Sequence, residues 1–250
     1  MAARTPDREV VPAVQRLRLR YAKRGPLRFS SHRDFQRALE RALRRARVPM
    51  AYSAGFSPHP RISYANAAPT GAASEAEYVE IGVVRRCDPE ALRVELDAAL
   101  PSGLDIVECV EARTPDLVAR LQASAWRIEV PAVAAADLAA AWGALQAVES
   151  APVQRLMKQG LRTLDIRPAL LSGEVPDAGA DPAWSTLLVT VANVTPTVRP
   201  DEILAALRQV GGLAPHDPAR ATRLAQGPLG PDGIVGDPLD PDRRAPALLV

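Results

Sequence analysis

Two of the chain's three histidines, His32 and His59, fall in one stretch, Phe29 to Tyr64, FSSHRDFQRALERALRRARVPMAYSAGFSPHPRISY. Seven arginines share it. Histidine changes charge near neutral pH, so it can bind an anion or act as general acid or base. Arginine offers a planar fork of donors that matches phosphate. The chemistry within reach is therefore capture of a polyanion, or proton transfer on one that is already bound. His59 sits in Gly55-Phe56-Ser57-Pro58-His59-Pro60-Arg61, where the two flanking prolines fix the backbone. It reads equally as a phosphate or proton-transfer group and as a loop histidine bonded to its neighbours. His32 opens the arginine-rich segment, which brings the same choice to a second ring.

That segment must be a helix. Ser31 is a good N-cap and Asp34 follows three residues later, a capping-box spacing. Pro49 stops the helix by disfavouring helical backbone in the residue before it. Phe35, Leu39, Ala42, Leu43 and Ala46 recur at helical spacing and define an apolar arc. Arg33, Arg37, Arg41, Arg44, Arg45 and Arg47 fall on the other side, with Glu40 as the main acid. A solvated helix face ordinarily mixes signs to gain i,i+4 pairs. Six arginines with so little acid repel one another unless an anion lies over them, which favours a polyanion-binding face.

Ser31-His32-Arg33-Asp34, Arg41-Ala42-Leu43-Arg44-Arg45-Ala46 and Gly55-Phe56-Ser57-Pro58-His59-Pro60 together resemble the radical-SAM-linked protein family. The likeness is close from Arg16 to Val84 and continues more weakly to about Arg223, with Asp165-Ile166-Arg167-Pro168 similar to a second family signature. That family is an uncharacterised domain, fused to radical SAM proteins or encoded beside them. The resemblance implies a radical SAM protein as partner and assigns no reaction. A genomic setting similar to that of genes beside ribonuclease E/G implies RNA.

Composition bounds these readings. At 250 residues and 47% hydrophobic, the chain supports one large or two small domains with a real core. The net charge of +2 hides an asymmetry. Residues 1–64 carry fifteen Lys and Arg against four Asp and Glu, whereas the rest of the chain is acidic. A basic surface that is local is what a binding face needs. At 4% aromatic content, extensive base-stacking platforms are not expected. Cys87 and Cys109 are the only cysteines and form no CxxC pair. A site-differentiated iron–sulfur cluster takes three cysteine ligands, so this chain is not itself a radical SAM enzyme. No metal or cofactor is expected from ligand spacing. Two lone cysteines suit a reducing cytoplasm, and no stretch reads as a signal peptide or membrane span.

The expected fold class is α+β, with two tandem ferredoxin-like (βαββαβ) units and disordered termini. Residues 1–14 read as a disordered arm, 15–112 as the first unit, 113–124 as a linker, 125–226 as the second unit and 227–250 as a disordered tail. In the first unit, strands are expected at Gln15–Tyr21, around Arg61–Asn66, at Glu77–Val84 and at Leu104–Val110, with helices from Ser31 and from Asp88-Pro89. In the second, strands are expected at Trp126–Val130, Gln154–Arg162, Thr163–Leu171, Trp184–Ala192 and near Ala221–Ala225. Its helices are expected at Asp137–Val148 and from Arg199 to Val210, the latter closed by Gly211-Gly212.

The substrate-binding set read from the sequence is His32, Arg33, Arg37, Arg41, Arg44, Arg45, Ser57, His59 and Arg61. Arg155, Lys158, Arg162 and Arg167 form a second basic run, with Asp165 placed to hold Arg167, and exposed strand cations are the plainer reading of it. His216, in a proline-rich loop, carries no assignment. Three functions compete: an accessory module presenting structured RNA to a separately encoded radical SAM protein; a metal-independent endoribonuclease using His59 or His32; and a scaffold docking an acidic protein surface. The expectation that His32 and His59 approach one anion from two sides bears on the first two.

Overall fold

The computed structural model describes residues 11–54, 56–157, 160–176, 183–213 and 217–246. The protein is mixed α+β and divides into two compact units, Met1–Val118 with Leu239–Val250, and Ala119–Pro238.

The first unit opens with strand β1 (Gln15–Lys23), whose alternate residues Leu17, Leu19 and Tyr21 enter the core. A 3-10 turn (Gly25–Phe29) leads to helix α1 (His32–Arg45). Strands β2 (Ile62–Ala65) and β3 (Ala73–Val83) follow, then α2 (Pro89–Ala99) and β4 (Leu104–Glu111). Asp88 caps α2 by accepting from the Ala91 amide at 2.8 Å. The strands lie in the order β4-β1-β3-β2, and every neighbouring pair is antiparallel. Phe35, Leu39 and Leu43 of α1 and Leu92 and Leu96 of α2 close the core over Leu17, Leu19, Val79, Ile81 and Ile106. Burial of this kind stabilises by about 1.5–3 kcal/mol for each large apolar side chain.

A short helix α3 (Leu117–Arg120) spans the division, and the second unit follows. It contains β5 (Ala123–Pro131), α4 (Ala135–Ala147), β6 (Pro152–Met157), β7 (Gly160–Asp165), β8 (Leu170–Glu174), β9 (Trp184–Ala192), α5 (Pro200–Gly211) and β10 (Arg220–Gly227). Its main sheet runs β10-β5-β9-β8, again antiparallel throughout. Trp126, Ile128, Leu138, Trp142, Leu187 and Leu207 are all buried. The Trp142 indole donates to the Gly173 carbonyl at 3.1 Å, and a Cβ at Gly173 would stand 2.5 Å from the same ring, so this strand position requires glycine.

The runs 154–162 and 163–171, expected to be extended, carry β6 and β7, which among the described residues pair with each other as a separate two-stranded sheet, and the strand that joins the main sheet is β8. Arg155 fixes the root of this hairpin, because it is buried and ion-paired with Glu202 at the start of α5.

The tail expected to be disordered from residue 227 is instead ordered through residue 246. It carries a bridge between Leu229 and Val235 and a short helix α6 (Asp240–Arg244), which belongs to the first unit. The Asp242 carboxylate is fully buried and accepts from Arg18 Nη1 at 2.6 Å, Thr114 Oγ1 at 2.6 Å, and the Arg113 and Thr114 amides, each at 2.9 Å. Of the expected disordered arm, residues 1–10 lie outside the described residues; Val14 is tied to β3 through the Val83 carbonyl at 2.9 Å.

Candidate functional site

Helix α1 starts where the sequence requires. The Ser31 hydroxyl accepts from the Asp34 amide at 3.2 Å, and Asp34 Oδ2 accepts from the Ser31 amide at 3.1 Å and the Ser31 hydroxyl at 2.7 Å. These bonds to Ser31 hold the Asp34 carboxyl below its ordinary range, with Arg37 and Arg33 adding a smaller pull. The helix is anchored from beneath by Phe35, which stacks on Tyr21 with ring centroids 3.9 Å apart.

All six arginines of the segment, Arg33, Arg37, Arg41, Arg44, Arg45 and Arg47, are exposed. Arg44 reaches Glu40 at 3.9 Å, and Arg45 donates to the Ala99 carbonyl at 3.2 Å. Arg33, Arg37, Arg41 and Arg47 make no ion pair and no side-chain hydrogen bond among the described residues. Arg33–Arg37, Arg37–Arg41 and Arg41–Arg45 are like-charged i,i+4 pairs, each costing a helix about 0.2–0.5 kcal/mol. The helix macrodipole favours Arg44 and Arg45 in the last turn and opposes Arg33 in the first. The N-terminal half of this face is therefore a charge arrangement that the helix itself does not reward.

His32 is exposed on the first turn. Its Nε2 lies 3.0 Å from the Gln36 amide nitrogen. Its ring meets Tyr64 of β2 edge-on, with centroids 4.9 Å apart. The Tyr64 hydroxyl is shielded from water and has no hydrogen-bond partner among the described residues. Burial pushes its pKa well above the ordinary tyrosine value, and Glu40 adds to that.

His59 is set by a different device. The Ser53 amide donates to the His59 carbonyl at 2.8 Å, and the His59 amide donates to Ser53 Oγ at 3.0 Å. Tyr52 bridges Pro60, and the Arg61 amide reaches the Ala51 carbonyl at 2.7 Å. These bonds close a loop whose Phe56, Ser57, His59 and Arg61 side chains are exposed; Gly55 lies outside the described residues. The loop is fastened to the Val83 end of β3 by Ala51 N to Gly82 O at 2.8 Å and Gly82 N to Arg61 O at 2.9 Å. Tyr64, which holds His32, is five residues further on and pairs with Val79. Five extended residues span ~16 Å. No hydrogen bond or ring contact joins His32 to His59 among the described residues, so the shared anion site expected from the sequence is not formed by direct contact of the two rings.

The second basic run is engaged inside its own unit. Arg155 donates to both Glu202 oxygens and to the Thr197 carbonyl. The Arg167 guanidinium donates to the carbonyls of Gln146, Val148 and Leu170. Asp165 accepts from the Ala151 amide at 2.8 Å and the Arg167 amide at 3.0 Å, and the Ala151 bond is the main reason its carboxyl is held low. Asp165-Ile166-Arg167-Pro168 is thus a chain-turning corner built around the fully buried Ile166. Arg162 is exposed, while Lys158 and His216 lie outside the described residues.

Sequence reasoning passed over three aromatic rings, Phe29, Tyr52 and Phe56, all exposed on the first unit. The Arg28 guanidinium lies 4.7 Å from the Phe29 ring centroid. The low aromatic content hid them. Their neighbours Ser30, Ser53 and Ser57-Pro58, which are turn formers rather than core residues, were the available signal.

Among the described residues no group of three or more His, Cys, Asp and Glu side chains is arranged to hold a metal ion, and no helix is long and apolar enough to cross a membrane. No curated protein matches the chain. A family model described as "Uncharacterized protein conserved in bacteria (DUF2344)" matches residues 16–200, which covers α1, the His59 loop and the Asp165–Pro168 corner. On that match over most of its length, the chain belongs to this family of uncharacterized bacterial proteins.

Proposed function

We propose that the protein is a non-catalytic accessory module that holds a polyanion, structured RNA, across α1 and the His59 loop. The observation that carries this reading is the set of exposed arginines, Arg33, Arg37, Arg41 and Arg47, that have no ion pair within the described residues. Phosphates laid over the helix remove the repulsion between them and match the guanidinium fork. His59, Ser57 and Arg61 extend the contact at one end of the helix, and His32 at the other. The resemblance noted from the sequence supplies the partner, a separately encoded radical SAM protein in the cytoplasm, to which the module presents its cargo.

The scaffold of this reading is a pair of ferredoxin-like units. Its support is the strand order of each sheet. Taking the four sheet strands of either unit in chain order, the last lies beside the first, then the third, then the second, with antiparallel neighbours throughout. In the second unit the β6–β7 hairpin is an insertion before the second sheet strand.

The test is charge reversal of Arg37, Arg41 and Arg44 to Glu. All three side chains are exposed, so the fold persists, as circular dichroism will show. Each phosphate contact contributes about 0.7 to the log–log salt slope for a single strand. Loss of three contacts therefore lowers RNA affinity on the order of 100-fold at about 0.1 M salt and flattens the slope by roughly 2. Fluorescence anisotropy with a labelled RNA measures both. Unchanged affinity and slope would eliminate the polyanion reading. RNA cleavage abolished in His59→Ala would replace it with the nuclease reading.

A further inference from the structure

The unit that carries the arginines also carries three aromatic side chains in water. Phe29 is 60% exposed, Tyr52 43% and Phe56 77%. An aromatic ring buries 150–250 Å² when it can, so leaving two phenylalanines this open forgoes one of the larger apolar contributions available to a small unit. Both segments are closed by hydrogen bonds. Phe29 ends a 3-10 turn held by Ser30 N to Leu27 O at 2.9 Å and by Gly71 N to Arg28 O at 2.8 Å. Phe56 projects from the loop closed by Ser53, His59, Tyr52 and Pro60.

Their placement follows from the sheet. Arg28 is tied to Gly71, just before β3 begins, and the His59 loop is tied to Gly82, where β3 ends. Phe29 and Phe56 therefore stand toward opposite ends of β3. Helix α1 covers the interval: it starts three residues after Phe29, and the chain leaving it pairs Met50 with Val83 at the loop's foot. At 1.5 Å per residue its 14 residues span ~21 Å. The first unit thus carries a helix whose Arg33, Arg37, Arg41 and Arg47 have no ion pair among the described residues, with an exposed phenylalanine on the segment before it and another on the segment after it, and Arg28 lies against one of those rings.

We propose that the polyanion received by α1 is a single strand of RNA whose bases stack on Phe29 at one end and on Phe56, with Tyr52, at the other. The proposal rests on the reading of α1 as a phosphate-binding face and narrows its substrate. A duplex keeps its bases stacked on each other and offers the rings only its two ends. It would satisfy the arginines and leave Phe29 and Phe56 in water. An unpaired strand satisfies both, because every base has a face to stack and every linkage a phosphate. In a structured RNA, the segment held is then a loop or an unpaired end.

The experiment uses the full chain with three probes: a roughly 10-nucleotide uridine oligomer, a blunt RNA duplex of equal length, and heparin. The variants are Phe29→Ala with Phe56→Ala, and the Arg37, Arg41 and Arg44 reversal. The expected result has three parts. The wild type prefers the single strand over the duplex. The phenylalanine pair weakens single-strand binding on the order of 10-fold per ring while keeping the wild-type salt slope and heparin retention. The arginine reversal loses all three probes and flattens the slope. Both rings are exposed, so the double variant folds as the wild type does. Equal or tighter duplex binding, or single-strand affinity unchanged in the phenylalanine pair, overturns the stacking proposal and leaves the arginine face standing. Failure of the wild type to bind any RNA overturns both, as does RNA-independent capture of an acidic protein that the arginine reversal abolishes.

Discussion

Replacing Asp242 by Ala tests whether the C-terminal segment is part of the first unit. Asp242 lies in a region whose sequence is rich in Pro, Gly and Asp, yet its carboxylate is fully buried. It accepts from the Arg113 and Thr114 amides, from the Thr114 hydroxyl and from Arg18, whose side chain is 4% exposed. Arg18 keeps a second partner, Glu80, at 2.9 Å. Removing one member of a buried ion pair costs about 3–5 kcal/mol, because the other charge is left uncompensated. The Arg113 and Thr114 amides lose their acceptor as well, at about 1–3 kcal/mol each if they stay dry. They do not stay dry, because α6 is a five-residue helix that can lift away and admit water. The loss is therefore set by the docking free energy of α6, and the lower figure of about 3 kcal/mol is expected. At roughly 2–4 °C per kcal/mol for a chain of this size, Tm falls by about 6–12 °C. Scanning calorimetry reads the shift, and limited trypsin digestion at Arg243 and Arg244 reads the release of the tail. Asp242→Asn retains an acceptor oxygen without the charge and falls between the wild type and Ala. A Tm within about 1 °C of wild type, less than the shift for a single kcal/mol, together with unchanged cleavage would refute this account of the tail.

Glu202→Ala leaves the guanidinium of Arg155 buried without its carboxylate and removes the acceptor for the Arg199 amide at the start of α5. A loss of about 3–5 kcal/mol is expected, measured as a lower urea midpoint at unchanged slope; a midpoint equal to wild type contradicts the buried pairing. The thiols give an independent check of the core. Burial pushes the Cys109 thiol up to about 12 and raises Cys87 by a smaller margin. Because the thiolate is the nucleophile, iodoacetamide at about pH 8 should modify native Cys87 slowly and spare Cys109 until urea is added, as peptide mass spectrometry will show. Labelling of native Cys109 at the rate of a free thiol contradicts the packing of β4.

Helix α1 was legible in the sequence because everything that makes it a helix is local. Ser31 and Asp34 cap it within one turn, Phe35, Leu39, Ala42 and Leu43 repeat at its own period, and the chain turns away before Pro49. The arginine face follows from the same period. The structure divides into its two compact units between Val118 and Ala119. What the sequence left open is decided by partners far away in the chain. Asp242 looks like one acid among several until Arg18, 224 residues earlier, takes its carboxylate. Alternating residues in β6, β7 and β8 look alike, and sheet membership is settled by which of them meets the edge of β9. His32 and His59 lie 27 positions apart in a loop-rich stretch. The register of β2 on β3 sets Tyr64 against Val79, and His32 meets the Tyr64 ring while the His59 backbone is bonded to Ser53. An aromatic residue is by default a core residue, since burial is its largest free-energy gain. Phe35 takes that course against Tyr21, whereas Phe29 and Phe56 stay in water because the turn and the loop that carry them are bonded to opposite ends of β3, clear of the core.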